Sequence, residues 1–157
     1  MTGAGAGTLD PDTLTAALLR GARGSAARHA ALGLLAEHDY WLRRIAHHHP
    51  ELVRRDAETG AVLDLDWQLL AVRSATGSLR GSTSQEAILC VALALAVPEF
   101  LLDLRSAVTG LGTFHTAAVL RAVAAAAGHP ELAPAADQSS DDPGGPDGPA
   151  PLEGAQL

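Results

Sequence analysis

Hydrophobic residues between positions 25 and 49 recur with the period of an α-helix. At 100° per residue, one face of this segment collects Leu34, Leu35, His38, Trp41, Leu42, Ile45 and His49. The opposite face collects Glu37, Tyr40, Arg43, Arg44, His47 and His48. The pattern predicts one long amphipathic helix over 25–49, which ends there because Pro50 disfavours helical geometry in the residue before it.

Start signals predict shorter helices on both sides of this segment. Asp10 is a suitable N-cap and Pro11 a suitable first residue for a helix that runs to about residue 20. Asp66 likewise caps a helix over 67–75. The preceding stretch AVLDLDW alternates apolar and acidic residues as a strand does. Because one isolated strand has no partner to pair with, we interpret this stretch as a loop.

The longest apolar run of the chain, residues 87–97, lies at the centre of the predicted fold. Ser82 and Gln85 have the spacing of a capping box just before it. The helix that follows, over 84–97, is apolar on every side, so neighbouring helices must surround it. The run has 11 residues, and about 20 are needed to span a bilayer. A buried helix therefore explains it better than a membrane span.

Two further helices are predicted after this central one. The first, over 98–110, is opened by Pro98 and carries four large apolar side chains. The second begins at Thr113, its cap, runs to Ala127 and stops at Gly128. Short connections between amphipathic helices are typical of a helical bundle.

Composition separates this helical body from its two ends. Residues 133–157 contain five carboxylates and no basic residue, so they carry most of the formal net charge of -7. Rich in proline and glycine, they offer too little apolar surface to offset the entropy lost on ordering. We predict a flexible N-terminus over 1–7, an all-α single compact domain of about five helices around an apolar central helix over 8–132, and a disordered acidic tail over 133–157.

The charge balance and the single Cys90 limit the classes of function. The body is nearly neutral and its arginines are scattered among carboxylates, which disfavours nucleic-acid binding because that requires a basic face. One cysteine in an apolar run suits a packed thiol in a reducing cytosol. The N-terminal stretch lacks the basic start and apolar core of a signal peptide. We therefore expect a cytoplasmic protein that binds no membrane.

Three consecutive histidines, His47, His48 and His49, raise the question of a metal site. On a helix they point about 100° apart, whereas ligands on one helix face are three or four residues apart. Positive charge near a helix C-terminus also has a structural role, since it meets the unsatisfied carbonyl groups. We predict no metal there. His38, alone on the apolar face, is expected to be a hydrogen-bonded core residue.

Other chemically suggestive residues have simpler interpretations. The hydroxyl groups of GSTSQE fit a helix cap better than a nucleophile. Asp64 and Asp66 are interpreted as a solvent-exposed carboxylate and a helix cap rather than as a pair for acid–base catalysis. The sequence contains no GxSxG, GxGxxG or GxxxxGK[ST] motif. We predict no catalytic residue and no cofactor.

Several segments resemble short actinobacterial proteins of unassigned function: EHDYWLRR, DLDWQLL, GSTSQEAILCVALALA, and LDLRSAVTGLG followed by VLRAVAAAAGH. The resemblance covers about residues 30–129 and implies no activity and no site. It agrees with the absence of lysine and asparagine beside abundant alanine, glycine and arginine, which indicates a GC-rich genome.

The leading hypothesis is a non-enzymatic protein-interaction or regulatory module, because no enzyme motif is present. Its expected partner-binding face, on the outside of the 25–49 helix, consists of Tyr40, Arg43, Arg44 and His47. Tyrosine and arginine often anchor interfaces because they are broad, amphipathic and rich in donors.

Two alternatives remain open. Short helices suggest a helix-turn-helix-like DNA-binding regulator, whose candidate basic residues are Arg54, Arg55, Arg73 and Arg80. A small metal-dependent enzyme would instead require a pocket that collects His38, His115 and a carboxylate.

Overall fold

The computed structural model describes residues 9–134, and this part of the chain is mostly helical. Its α-helices are α1 (Pro11–Gly21), α2 (Ala26–His38), α3 (Tyr40–His48), α4 (Trp67–Ala75), α5 (Thr83–Ala96), α6 (Leu104–Thr109) and α7 (Thr113–Ala126). Two strands, β1 (Val53–Arg55) and β2 (Val62–Leu65), form a small antiparallel sheet. The described residues thus have seven α-helices rather than about five, and they are not strictly all-α. The segments predicted to be flexible or disordered lie, except for residues 133 and 134, outside the described residues.

The prediction of one helix over 25–49 was wrong, because the chain breaks at Asp39. This residue adopts a left-handed conformation with φ 57° and separates α2 from α3. Aspartate tolerates this region better than most residues since its short side chain forms local hydrogen bonds. The predicted faces nevertheless hold on both sides of the break: Leu35 and Trp41 are fully buried, whereas Arg43 is exposed.

The interpretation of AVLDLDW as a loop was also wrong. β2 pairs with β1, and Val53 lies opposite Leu65 in the register. The partner strand was missed because only three residues of it pair, and two of them are charged. The helix after this segment is confirmed: α4 spans Trp67–Ala75, and the Asp66 carboxylate accepts a hydrogen bond from the backbone N–H of Leu69 at 3.0 Å.

Helix α5 is buried on most sides, as predicted, and packs against α2, α3, α4, α6 and α7. The capping box is confirmed: the Ser82 hydroxyl accepts from the Gln85 backbone N–H, and the Gln85 side chain accepts from the Ser82 N–H at 2.8 Å. Helix α2 shares the centre, because it packs extensively against both α5 and α7.

The helix predicted over 98–110 is shorter than expected. α6 begins at Leu104 rather than at Pro98, and Asp103 caps it. A turn at residues 98–99 and irregular chain over 100–103 precede it, and Leu101 in the irregular part is 94% exposed. Only Ala107 of α6 is buried, so little apolar burial holds this segment. The prediction that Thr113 caps the last helix was wrong: Gly112 occupies the cap position, and Thr113 is the first residue of α7.

Among residues 9–134, no helix is both long enough and apolar enough to cross a bilayer.

Candidate functional site

The outer face of α3 lines an open groove of about 530 Å³. The opposite face of α3 packs into the core through the buried side chains of Trp41, Leu42 and Ile45. The groove is lined by Tyr40, Arg43, Arg44, His47, His48 and His49. We call this surface the α3 groove. The four residues of the predicted partner-binding face all line it, and within the described chain no carboxylate does.

Arg44 is held in a fixed position within the α3 groove. One guanidinium nitrogen donates to the Tyr40 hydroxyl at 2.8 Å and to the backbone carbonyl of Arg80. The guanidinium carbon lies 5.9 Å from the centroid of the Tyr40 ring and 5.7 Å from that of Trp41. The Trp41 indole N–H in turn donates to the backbone carbonyl of Gln85 at 2.7 Å. The charge is therefore positioned by contacts that reach across to α5.

Arg43 is more exposed and shares its charge with neighbouring carboxylates. Its Nε donates to the Asp39 carboxylate, one helical turn earlier. This hydrogen bond raises the pKa of Arg43, and Asp12 and Asp10 at the start of α1 contribute in the same direction. Arg43 thus stays charged, but an anionic ligand would compete with Asp39 for it.

The three histidines of the groove face different surroundings. His47 and His48 are exposed, and their ring centroids lie 6.3 Å apart. His49 is half-buried, and its Nδ1 lies 3.5 Å from the Glu51 carboxylate and 3.3 Å from Arg73. His49 therefore belongs partly to an ion-pair cluster beside the groove.

Within residues 9–134, no three side chains of histidine, cysteine, aspartate or glutamate are grouped so that they could hold a metal ion. The prediction that the histidine run binds no metal remains a prediction.

The structure does bring together two histidines of the enzyme hypothesis. The ring centroids of His38 on α2 and His115 on α7 lie 4.9 Å apart, with 46° between the ring planes. The expected hydrogen bond of His38 is not formed at Nδ1, which is buried and has no partner among the described residues. Burial, and then the proximity of His115, lower the pKa of His38. No described carboxylate is grouped with these two histidines as a third ligand, and the adjacent Asp39 accepts a hydrogen bond from Arg43.

Cys90 lines a separate cleft of about 250 Å³ between α5 and α6, together with Glu86 and Phe100. The thiol is half-buried, and burial raises its pKa. A thiol that stays protonated is a poor nucleophile. The cleft therefore offers apolar contact rather than chemistry.

The candidate residues of the other hypotheses are dispersed. Arg54 and Arg55 lie on β1 and Arg73 on α4, where it forms an ion pair with Glu51 at 2.6 Å. Arg80 lies in the loop before α5.

The paired carboxylates have structural contacts. Asp64 accepts from Arg28 at 3.3 Å and from the Trp67 indole at 3.1 Å, whereas Asp66 caps α4.

Sequence reasoning missed three parts of the α3 groove. His48 and His49 line it, although the predicted face omitted them. The carbonyl that fixes Arg44 comes from Arg80, 36 residues later in the chain, and no local pattern reports such a contact.

No protein-family model, curated protein or solved structure matches this chain significantly.

Proposed function

We propose that this chain is a cytosolic, non-enzymatic protein-interaction or regulatory module that binds an acidic segment of a partner protein in the α3 groove. The groove itself carries the proposal: a phenol ring, two guanidinium groups and three imidazoles line one concave surface. Arginine and tyrosine are enriched at interfaces because they combine contact area with several donors. A set of donors and cations with no carboxylate among its described lining residues fits carboxylate ligands best.

The fixed position of Arg44 supports this role. Its contacts with Tyr40 and with the Arg80 carbonyl hold the guanidinium group before any ligand arrives. A side chain that is already ordered loses less conformational entropy when it binds. Arg44 is therefore the expected anchor for a carboxylate.

Arg43 and His47 supply the exposed part of the site. Because Arg43 already forms an ion pair with Asp39, its attraction for a partner carboxylate is weaker than that of an unpaired arginine. Exposed ion pairs are individually weak and screened by salt. We therefore expect moderate affinity that falls steeply as the ionic strength rises.

The length of α3 sets the size of the ligand. Its 9 residues correspond to a helix about 13 Å long, which matches about four residues of extended peptide. The expected partner segment is therefore short and contains two or more carboxylates.

A metal-dependent enzyme is the second candidate, and the juxtaposition of His38 and His115 is the one observation that favours it. It requires a third ligand, which no described histidine, cysteine, aspartate or glutamate supplies.

The first proposal is tested by fluorescence anisotropy with a labelled peptide of alternating glutamate and glycine. Wild-type protein is compared with Arg43→Glu and with Arg54→Glu, which makes the same charge change at an exposed position on β1. We expect Arg54→Glu to bind like the wild type and Arg43→Glu to bind about five-fold or more weakly at low salt. Equal binding by both variants would contradict the proposal. Binding of duplex DNA but not of the peptide would instead favour the DNA-binding alternative.

A further inference from the structure

The C-terminal segment of this chain carries charge opposite to that of the described residues that line the α3 groove. Residues 135–157 contain no arginine, lysine or histidine, and their five carboxylates are Asp137, Asp141, Asp142, Asp147 and Glu153. We propose that residues 135–157 dock in the α3 groove and compete there with an acidic partner. This inference rests on the proposed function, because it assigns an internal competitor to the same site.

Charge complementarity favours the α3 groove over three arginines of the body that are already paired with a carboxylate of another element. Arg28 pairs with Asp64 at 3.3 Å, and Arg73 pairs with Glu51 at 2.6 Å. Arg121 pairs with Glu37 across α7 and α2. Each of these cations has a carboxylate partner on another element. The α3 groove gathers two arginines and three histidines on one surface, and the carboxylate that pairs with Arg43 comes from Asp39, directly before α3.

The C-terminal segment is long enough to reach the groove. α7 runs antiparallel to α2, because His115 contacts His38 while Ala125 lies near His29. The path from Pro134 back to α3 is therefore about the length of α2 plus that of α3, roughly 20–35 Å. Nineteen residues separate Pro134 from Glu153, and a flexible chain of that length has a root-mean-square span of about 24 Å and a full extension of about 60 Å.

Because the segment is tethered, even a weak contact would be populated. Short flexible tethers give effective concentrations of about 1 mM. A segment whose intrinsic dissociation constant is near that value would occupy the groove about half of the time. Half occupancy would weaken the binding of a competing peptide about two-fold, and an occupancy of about nine-tenths would weaken it about ten-fold.

The competition is measured in the full chain, with the five tail carboxylates replaced by amides (Asp→Asn and Glu153→Gln). We call this variant the amide-tailed chain. It should bind the glutamate–glycine peptide about two- to ten-fold more tightly than the wild type does. In an Arg43→Glu background the same replacements should leave peptide binding unchanged, since the shared site is already impaired.

The contact itself is measured by paramagnetic broadening from a spin label on Ala150→Cys in a Cys90→Ser chain. We expect broadening of the backbone amides over 40–48, lost at high salt and in Arg43→Glu. Uniform broadening, or broadening centred on the exposed Phe114 and Leu120 of α7, would overturn the inference.

The two proposals fail in distinguishable ways. If the amide-tailed chain and the wild type bind the peptide equally well and the label broadens no α3 amide, only the tail contact is wrong. If neither chain binds the peptide while the label still broadens α3, the groove holds the chain's own tail and the proposed function is wrong.

Discussion

The rings of His38 and His115 lie 4.9 Å apart, centroid to centroid, and couple the end of α2 to the start of α7. Nδ1 of His38 is buried and has no hydrogen-bond partner among the described residues. Burial, then the neighbouring His115, lower the pKa of His38, and Asp39 only partly opposes them. Protonation of His38 is therefore less favourable in the folded state than in the unfolded chain.

From this contact we predict that the free energy of unfolding falls at acidic pH, partly because His38 is harder to protonate in the folded state. Since the folded-state pKa is lower than the ordinary value of 6.5, the unfolded chain binds the proton first as the pH falls. The contribution of neutral His38 to the free energy of unfolding is therefore fully present above pH 6.5 and is lost as the pH falls below that value. Urea unfolding at about pH 7.5 and pH 5 should therefore show a smaller loss of stability in His38→Gln than in the wild type. The exposed His29→Gln is the control, and an unchanged loss in His38→Gln would contradict the assignment.

Two glycine substitutions are expected to have opposite effects on stability. A methyl group on Gly33, in the middle of α2, meets nothing within 4 Å. Gly33→Ala should therefore raise the free energy of unfolding by about 0.5–1 kcal/mol. A methyl group on Gly21 would overlap the backbone carbonyl of Leu63 on β2, so Gly21→Ala should lower stability by about 1–3 kcal/mol. Urea denaturation measures both, and a stabilising Gly21→Ala would show that α1 does not press against the sheet.

The central position of α5 is tested by two matched acidic substitutions. Leu93 is fully buried, whereas Leu120 on the outer side of α7 is 51% exposed. An unpaired buried carboxylate costs several kcal/mol against a total stability of about 5–15 kcal/mol. Circular dichroism should show that Leu93→Asp is unfolded and that Leu120→Asp keeps its helical signal. A folded Leu93→Asp would mean that α5 faces water or a partner.

Local signals in the sequence were sufficient for three of the helix starts. Asp10, Asp66 and Ser82 cap the helices that follow them, because capping depends on residues only three positions apart. The apolar period also identified the face of α3 correctly. All residues of that face follow Asp39, so the break before them did not disturb it.

Contacts between distant residues could not be predicted in the same way. The break at Asp39 leaves the apolar period in register, and only the backbone conformation reveals it. β2 depends on pairing with Val53, 12 positions before Leu65, and isolated strands carry little stability. The α3 groove likewise needs the Arg80 carbonyl to fix Arg44, and that contact exists only after α3 and α5 have packed together.

We expect the purified, untagged protein to contain no stoichiometric zinc or nickel. The rings of His47 and His48 are 6.3 Å apart, and Nδ1 of His49 faces Glu51 and Arg73. Metal content by mass spectrometry should therefore be the same in the wild type and in a chain with all three histidines replaced by alanine. Metal at one equivalent that disappears in the triple variant would refute this prediction.

Binding of an acidic peptide in the α3 groove is tested most directly by chemical-shift mapping on ¹⁵N-labelled amide-tailed chain. The glutamate–glycine peptide is added at low salt until the shifts saturate, and Arg43→Glu in the same background is the control. Shifts centred on the amides over 40–48, and strongly reduced in the control, are the predicted result. Shifts centred on another surface, or no shift at millimolar peptide, would contradict the proposed function.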